Sequence, residues 1–423
     1  MSEKYQQVVF VTQLFPPEKG GNASRIHDTT TNLYDQYWEP MVLSPPPCYP
    51  PGEFNRSWKR SVTETVDGVT VHRLWTWQPQ AENPSFASRL LYYLLFGVHA
   101  TLWLLWNVQE YDLVVTSTPP VSTGAPGLLA ALLGKPWVVD IRDLWIDAAV
   151  SLGFLSDGGT AERISRKFQH TVVHTADRIT VTTKGISASL QENYGKSLAS
   201  KITVIPNGVD TDRFEPASSS SGHESSVEEP ECNSDIKHTL IYTGNLGIAQ
   251  DLESCIRAIP HLAHENVCFR IVGSGDKETD LKALTADLGI TDNVVFTGVV
   301  PRDEIPRLLR ESTIGLAPIK RSDQLAYAIP TKLYEYMASG LPTVVTGKGE
   351  IERFVLESGG GIHAANDPKQ IADRIDDLLA DNQKRQRLSN QGREHVENRF
   401  DRRAITTRFG NELHRLNNTE EVS

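Results

Sequence analysis

The sequence of 423 residues has little cysteine, no excess of basic charge and only one long apolar run. Its four cysteines are scattered without a C-x-x-C pair, so we expect no disulfide framework and a cytoplasmic, reducing location. The formal net charge of −11 argues against general affinity for nucleic acid, because nothing would attract a polyphosphate backbone. Residues 1–7 are polar and lead directly into an apolar run, so no signal peptide is expected.

The length of the chain fits two domains of about 200 residues each. Short apolar runs alternate with helical segments, which is the pattern of parallel βαβ units. Residues 215–236 are Ser-rich and acidic, and they predict an exposed insertion between an N-terminal domain (1–214) and a C-terminal domain (237–400). Residues 401–423 predict a helix with a tail, and we allow for this helix packing back on the N-terminal domain. The predicted strands are Val8–Thr12, Pro40–Leu43, Val69–Leu74, Asp112–Thr116, Trp137–Ile141, Arg178–Thr182, Ile202–Ile205, Thr239–Tyr242, Cys268–Val272, Val294–Thr297, Ile314–Ala317 and Thr343–Val345.

The long apolar run is Leu90–Trp106, 17 residues without a formal charge. As a helix it would span about 26 Å, the lower limit for crossing a bilayer. Three interpretations stay open: a helix buried against the first sheet, a helix lying on a membrane surface, and a spanning helix. The membrane or acceptor contacts predicted from this run are Leu90, Trp103 and Trp106, the two tryptophans lying at the headgroup boundary.

A glycine pair follows the first predicted strand. Gly20 and Gly21 have no Cβ, so the backbone can approach a ligand, and the helix that follows would direct free N–H groups at it. Asn22 belongs to the same passage, and Arg25 lies in the first turns of the helix, where a cation could meet a phosphate. An ordinary turn is the competing interpretation.

The second half of the sequence repeats this arrangement twice. Tyr242–Gly247 follows one predicted strand, with Gln250 just beyond it, and Val272–Gly275 follows the next. A dehydrogenase that binds NAD would need the third glycine of G-x-G-x-x-G. Here the Gly-Ser-Gly sequence runs into Asp-Lys-Glu, so we expect no dinucleotide site of that kind.

Residues 328–342, AIPTKLYEYMASGLP, contain the most informative motif. Pro330 and Thr331 predict a helix start, with Thr331 as its cap. The start of a helix attracts anions, and Lys332 adds a full positive charge there. Glu335 lies three residues on, near the same face, where it could reach a ribose diol next to a bound phosphate. The alternative is a capped amphipathic helix with a surface Lys–Glu pair.

Taken in order, several motifs resemble the large group-1, or family-4, retaining glycosyltransferases. The N-terminal pieces are similar to the subgroup of amino-sugar transferases in O-antigen, capsule and lipid-linked glycan assembly. The motifs are Phe15–Gly21, Ser117–Pro120, Asp140–Trp145, Val204–Asp210, Tyr242–Gly247, Val272–Gly275, Phe296–Pro301 and Tyr334–Pro342.

This resemblance implies an α/β fold of two facing Rossmann-like domains, the GT-B architecture, with a cleft between them. It implies transfer of a hexose or amino-hexose, with retention and without a metal, from a nucleotide-diphosphate sugar, UDP being the family-typical base. The acceptor would be a glycan, lipid-linked if residues 90–106 lie on a membrane, and the enzyme would then be peripheral on the inner face of the cell membrane. The implied donor-binding residues are Gly20, Gly21, Asn22, Arg25, Asn245, Leu246, Gly247, Gln250, Gly273, Gly275, Val299, Pro330, Thr331, Lys332, Leu333 and Glu335.

Two departures from the family pattern concern the donor. Tyr327 stands where the paired-glutamate motif has its first acid, which leaves only Glu335 and puts the contact to the donor sugar in question. Asn245 and Gln250 stand where many members have Arg and Lys, so the phosphate clamp would be weaker. A catalytically silent nucleotide-sugar-binding protein therefore stays open as an alternative. A sugar-nucleotide 2-epimerase, which shares the two-domain architecture, is a third candidate, but it would need carboxylates and a His poised for elimination, and the sequence shows no such set.

The acceptor side is predicted at Asp140-Ile-Arg142-Asp143, at the carboxyl end of a strand, where open α/β sheets bind ligands. We expect Arg142 and Asp143 to face the cleft, with Asp143 orienting the acceptor or taking its proton. A salt-bridged strand end is the competing interpretation. With Lys332 and Glu335, these two residues complete the predicted catalytic set.

Overall fold

The chain forms two compact units in a computed structural model. The first unit contains Met1–Asn207 and Arg402–Ser423, and the second contains Gly208–Asp401. Most of the predicted insertion at 215–236, and Gly20, lie outside the described residues. The structure describes residues 5–18, 21–48, 54–81, 84–151, 153–216 and 236–420.

The first unit is built on one eight-stranded sheet. Its strands are β1 (Gln6–Val11), β2 (Trp38–Ser44), β3 (Ser61–Val66), β4 (Val69–Leu74), β5 (Leu113–Thr118), β6 (Trp137–Ile141), β7 (Arg178–Val181) and β8 (Ile202–Val204). They lie in the order β3-β4-β2-β1-β5-β6-β7-β8. Only β3 pairs antiparallel, and the strand order reverses between β1 and β5. Its helices are α1 (Gly21–Leu33), α2 (Phe86–Trp106), α3 (Gly124–Leu132), α4 (Trp145–Ser151), α5 (Thr160–Thr175) and α6 (Lys184–Tyr194).

The second unit has a parallel six-stranded sheet. Its strands are β9 (His238–Thr243), β10 (Val267–Val272), β11 (Val294–Gly298), β12 (Ile314–Ala317), β13 (Thr343–Val345) and β14 (Gly361–His363). They lie in the order β11-β10-β9-β12-β13-β14, so the order reverses between β9 and β12. Its helices are α7 (Leu252–Ala258), α8 (Glu278–Asp287), α9 (Ile305–Arg310), α10 (Thr331–Ala338), α11 (Glu350–Ser358), α12 (Pro368–Ala380) and α13 (Asn382–Phe400).

Helices cover both faces of the second sheet, because successive strand residues point to opposite sides. Leu240 of β9 packs into a cluster that contains Ile371 and Ile375 of α12. Its neighbour Ile241 packs into the opposite cluster, which contains Tyr336 of α10 and Val355 of α11. These strands are therefore apolar on both faces, which is why they appear as continuous apolar runs in the sequence.

The last helix, α14 (Arg402–Glu420), belongs to the first unit although it follows the second in sequence. His414 lies 2.8 Å from the carbonyl oxygen of Gln36, and its ring is 4.9 Å from that of Trp38. The Nε of Arg402 lies 3.5 Å from a carboxylate oxygen of Asp28. Both polar and aromatic contacts thus tie this helix to α1 and β2.

The cysteines differ from the sequence expectation at one position. Cys48 and Cys255 are free thiols, and burial raises the pKa of Cys48 to about 12. Cys268, by contrast, is disulfide-bonded. The absence of a C-x-x-C pair argues against a disulfide framework but does not predict this single bond, because the spacing of cysteines along a chain does not reveal which of them approach in the fold.

Candidate functional site

Two glycine-containing loops lie at the carboxyl end of the second sheet, beside the point where its strand order reverses. The first glycine loop (residues 244–247) follows β9, and the second glycine loop (residues 273–275) follows β10. The N–H of Leu246 donates to the carbonyl oxygen of Ser274 at 2.9 Å. Ligands of open α/β sheets bind at such a reversal, so these two loops are candidates for contacts with a ligand.

Gly273 and Gly275 are needed for the two loops to touch. Gly273 has a φ of +130°, and a Cβ on it would lie 2.0 Å from the carbonyl oxygen of Gly244. A Cβ on Gly275 would lie 2.5 Å from the Oδ1 of Asn245. Any side chain at either position would push the loops apart. These two predicted donor residues therefore act by permitting close backbone packing.

The other predicted residues near these loops differ in how accessible they are. Asn245 is exposed and Gly247 is half-buried. Gln250 is half-buried, and its Oε1 has no hydrogen-bond partner among the described residues. Leu246 is fully buried in the core, so the prediction that it binds the donor is corrected: only its backbone is available, because the side chain points inward.

The N-cap residue of α10 is one position earlier in the chain than the sequence predicts. Pro330 occupies the N-cap position and Thr331 is the first helical residue, without a side-chain cap. The prediction of Thr331 as the cap is wrong, because Pro330 has the extended ψ of 139° that a cap residue adopts but no side-chain acceptor. The first N–H groups of α10 are therefore not covered by a capping side chain and can face an anion.

Lys332, the second residue of α10, brings a buried cation to the first glycine loop. A Cβ built on Gly244 would lie 3.2 Å from the Nζ of Lys332, and this Nζ lies 3.6 Å from the ring centroid of Tyr242. Burial lowers the pKa of Lys332 to about 7, although the negative charge of Glu335 acts in the opposite direction. An anion at this place would favour the charged form of Lys332.

Tyr336 fixes α10 to the end of β9, a role that sequence reasoning missed. Its hydroxyl accepts the backbone N–H of Thr243 at 2.8 Å. A Cβ on Gly315 would lie 2.5 Å from the Tyr336 ring, so the absence of a side chain there lets the ring approach β12. Tyr336 is four residues after Lys332, on the same helix face, and this spacing was the only signal available in the sequence.

The remaining predicted residues of the second unit separate into accessible and buried ones. Glu335 is half-buried, three residues after Lys332. Val299 is exposed directly after β11. Leu333 is fully buried in the core, so its predicted contact with the donor is corrected: a side chain that packs between α10 and the sheet cannot face a ligand.

In the first unit, Arg25 is buried, and its guanidinium donates hydrogen bonds to four oxygen atoms of that unit. It donates to the carbonyl oxygens of Ile205 at 3.1 Å and Pro206 at 2.9 Å. It also donates to the side chains of Asn207 at 3.1 Å and Asp140 at 3.3 Å. The prediction that Arg25 meets a donor phosphate is corrected, because these acceptors already compensate its charge within the first unit.

The side chain of Arg142 is likewise buried and makes its contacts within the first unit. It donates to the carbonyl oxygen of Asn22 at 3.2 Å, and its Nε lies 4.0 Å from a carboxylate oxygen of Asp140. Burial lowers the pKa of Arg142 to about 10, against the opposing effect of Asp140. The prediction that Arg142 faces a ligand is therefore corrected, whereas Asp143 is half-buried at the same strand end. Gly21 begins α1, as its position after β1 predicts.

The apolar run forms α2, and it is neither a core helix nor freely exposed. By length and composition, Ala87–Trp106 could cross a membrane, but only 28% of its most apolar part is buried. Leu90 is exposed and Trp106 is 63% exposed. Trp103 is half-buried, with its ring 5.0 Å from that of His72. The interpretation of a helix buried against the sheet is therefore wrong for most of this helix.

Metal ligands were not predicted for any part of the sequence. In the ranges that the structure describes, no three His, Cys, Asp or Glu side chains are grouped so that they could hold a metal ion.

Comparisons with known proteins agree on one family. Residues 229–395 match the family model of glycosyl transferases group 1, and residues 20–208 match that of the glycosyl transferase 4-like domain. A relative in Escherichia coli (strain K12), named for colanic acid biosynthesis as the glycosyl transferase WcaI, is 27% identical over 368 residues, which cover 84% of this chain and 87% of the relative.

Solved structures with a similar fold match nearly the whole chain. Sucrose-phosphate synthase of Thermosynechococcus elongatus has a TM-score of 0.72 at 16% identity, over 97% of this chain and 99% of that one. HepE of Anabaena, solved in complex with UDP and glucose, has a TM-score of 0.67 at 16% identity, over 97% and 100%. Sequence motifs, two matching family models and the fold thus converge, and the chain belongs to the group 1 glycosyltransferases, with the two Rossmann-like domains of the GT-B fold.

Proposed function

We propose that this glycosyltransferase moves a hexose or amino-hexose from a nucleotide-diphosphate sugar to a glycan acceptor, with retention of configuration and without a metal. UDP is the proposed nucleotide, supported by the UDP bound to the structural relative HepE. The proposed acceptor is a lipid-linked saccharide, and the enzyme is proposed to work in the cytoplasm, in peripheral contact with the inner face of the cell membrane.

The observation that carries the donor part of this proposal is the position of Lys332. Its ammonium is buried next to the first glycine loop and one residue into α10, whose first turn presents uncapped N–H groups. A helix start and a cation together form a site for a diphosphate. Glu335, half-buried on the next turn, would accept hydrogen bonds from the ribose hydroxyls. Asn245 and Gln250 would contribute neutral donors to the phosphate oxygens.

In the proposed reaction, the bond from the sugar C1 to the diphosphate oxygen breaks and a bond from C1 to the acceptor oxygen forms. The departing diphosphate keeps the electron pair of the broken bond, and the acceptor hydroxyl loses its proton. Lys332 and the N–H groups at the start of α10 would stabilise the negative charge that develops on the diphosphate, which is the role of preorganised positive groups in transfer reactions.

On the acceptor side, Asp143 is the proposed group that orients the acceptor hydroxyl or takes its proton. It is half-buried at the carboxyl end of β6, where a ligand of an open α/β sheet binds. Arg142 is buried beside it and is proposed as a positioning residue, since its side chain holds the carbonyl of Asn22. If Asp143→Asn retained full turnover, this role would be removed.

A thermal-shift titration with UDP, GDP, ADP, TDP and NAD tests the donor site. A ligand that binds only the folded state raises the melting temperature once it exceeds its dissociation constant. We expect a shift with one nucleoside diphosphate that is lost in Lys332→Gln and weakened in Glu335→Ala. Lys369→Gln, at an exposed position of α12, is the matched control and should keep the shift. No shift with any diphosphate, or a shift with NAD alone, would refute the proposed donor.

A transfer assay then separates an enzyme from a silent binding protein. Label from a UDP-sugar should appear in a lipid-extractable product in the presence of membranes, and the anomeric configuration of that product should equal that of the donor. Tyr327, in place of the first acid of the paired motif, is the feature that favours a silent protein. Binding of UDP without transfer or donor hydrolysis would establish that alternative.

A further inference from the structure

The outward side of α2 is an apolar surface that nothing in the described structure covers. It consists of Leu91, Leu94, Val98, Leu102, Leu105 and Trp106, all of them exposed, and we refer to it as the α2 outer face. These residues recur at intervals of three and four and so form one stripe along the helix. A helix of 21 residues is about 31 Å long, so the stripe is continuous over a large area of the first unit.

The opposite side of α2 anchors it to the first unit. Tyr92, Phe96, Ala100 and Leu104 are buried, and they recur at intervals of four, on the face opposite to the stripe. The side-chain hydroxyl of Thr76 also donates to the carbonyl of Tyr92 at 2.7 Å. A helix that crossed a bilayer would have to withdraw these side chains from the core, so the geometry favours a helix that lies in the plane of a surface.

Basic and aromatic side chains border one end of the stripe. The guanidinium of Arg60 lies 5.7 Å from the ring centroid of Trp106. Arg56 is half-buried: its guanidinium lies 4.2 Å from the ring centroid of Trp77 and 5.4 Å from that of Trp58, and it donates to the carbonyl oxygen of Gln78 at 3.0 Å. Trp58 is 68% exposed. Lys59 is exposed between them. We refer to Arg56, Lys59 and Arg60 as the basic rim.

Within the ranges that the structure describes, no carboxylate forms an ion pair with the basic rim. None of its three residues has an ion-pair partner in the part of the chain that the structure describes, and α2 itself contains no Asp or Glu. The whole chain, however, carries a net charge of −11. A chain of that charge is repelled by an anionic surface except where local cations meet it, so a basic rim beside an apolar stripe complements an anionic lipid surface.

We propose that the α2 outer face and the basic rim bind the surface of an anionic lipid bilayer, with α2 lying in the interface plane. The leucines and Val98 enter the boundary of the acyl chains, Trp58 and Trp106 lie at headgroup level, and the basic rim contacts lipid phosphates. The membrane contact is inferred from α2 and the basic rim alone. Only its biological role, access to a lipid-linked acceptor, rests on the proposed function. It also replaces Trp103, which is half-buried, by Trp58 among the predicted membrane contacts.

The test is flotation of the full chain with vesicles of phosphatidylglycerol and phosphatidylethanolamine, compared with vesicles of phosphatidylcholine. We expect the protein to float with the anionic vesicles and largely not with the neutral ones. The variant Leu94→Gln/Leu102→Gln should reduce the partition coefficient by about tenfold or more per leucine. The variant Arg56→Gln/Lys59→Gln/Arg60→Gln should reduce it on the order of a hundredfold, and only on anionic vesicles.

The matched control is Leu356→Gln, which removes a 71% exposed leucine of α11 in the second unit and should leave partition unchanged. Each variant is first checked for an unchanged melting temperature and an unchanged UDP shift, so that failure of the docking surface and failure of the donor site are distinguishable. Equal partition of wild type and Leu94→Gln/Leu102→Gln would overturn the proposal. So would a dimer in solution that this variant dissociates, without vesicle binding, because the occupant would then be a second copy of the chain.

Discussion

A pH dependence of the proposed donor binding is predicted from the burial of Lys332. Its pKa in the ligand-free protein is about 7, so about half of the molecules carry the charge at pH 7 and about one in a hundred at pH 9. A diphosphate next to the ammonium favours the charged form, and the pKa of Lys332 in the complex is therefore higher than in the free protein. Binding then takes up a proton at every pH between these two values.

The expected size of the effect can be calculated from these fractions. If only the charged form binds, and if its pKa in the complex exceeds 9, affinity falls about fifty-fold from pH 7 to pH 9, or about 2.3 kcal/mol. The sign is fixed, because the lower pKa belongs to the free protein and raising the pH removes the binding-competent form. The phosphate of the ligand contributes little, since it loses its last proton near a pKa of about 6.

Isothermal titration calorimetry with UDP measures both consequences. The dissociation constant should rise between pH 7 and pH 9, and at pH 8 two buffers of different ionisation enthalpy should reveal the uptake of close to one proton per site. Lys332→Gln should bind weakly and without this slope, whereas Lys369→Gln should behave like the wild type. A flat affinity in the wild type, or the same slope in Lys332→Gln, would refute the reasoning.

Two further changes test how each unit is held together. Gly273→Ala would place a Cβ 2.0 Å from the carbonyl oxygen of Gly244, so we expect a lower melting temperature and no thermal shift with UDP. The control is Gly289→Ala, which is also at a positive φ but has open space around its Cβ, and it should keep the thermal shift with UDP. Arg25→Ala would remove the closer of the two cations beside the buried Asp140, leaving the Nε of Arg142 at 4.0 Å. The free energy of unfolding in urea should therefore fall by about 3 kcal/mol, and a loss below about 1 kcal/mol would contradict the place of Arg25 in the core.

The sheets could be predicted from the sequence because their central strands are apolar on both faces. β5 is buried at all six positions, which produces the continuous apolar run expected of a parallel strand. β3 was missed, since it is an edge strand whose Ser, Thr and Glu residues are mostly exposed and which pairs through a turn at Asp67 and Gly68. The positive φ values of both residues match such a hairpin turn.

The motif at Lys332 and Glu335 could also be predicted from the sequence, whereas the contacts that hold α10 in place could not. Tyr336 contacts Thr243 across 93 positions, and only the register between α10 and β9 decides that contact. Leu246 and Leu333 lie next to candidate ligand contacts in the sequence, yet both side chains point into the core. A motif therefore predicts where a site lies, and burial decides which of its side chains can take part.

Arg25 and Lys332 show how the fold separates two cations with the same sequence signature. Each lies in the first turns of a helix at the carboxyl end of a sheet, and each is a candidate for a phosphate contact. In the first unit, Asp140 and three further oxygens already accept the Arg25 guanidinium. In the second unit, the Lys332 ammonium lies over an aromatic ring beside the first glycine loop, and burial lowers its pKa to about 7, which an approaching anion would reverse. Of these two cations, Lys332 is therefore the one whose charge an approaching diphosphate can stabilise, and this difference supports placing the proposed donor site in the second unit and the proposed acceptor site in the first.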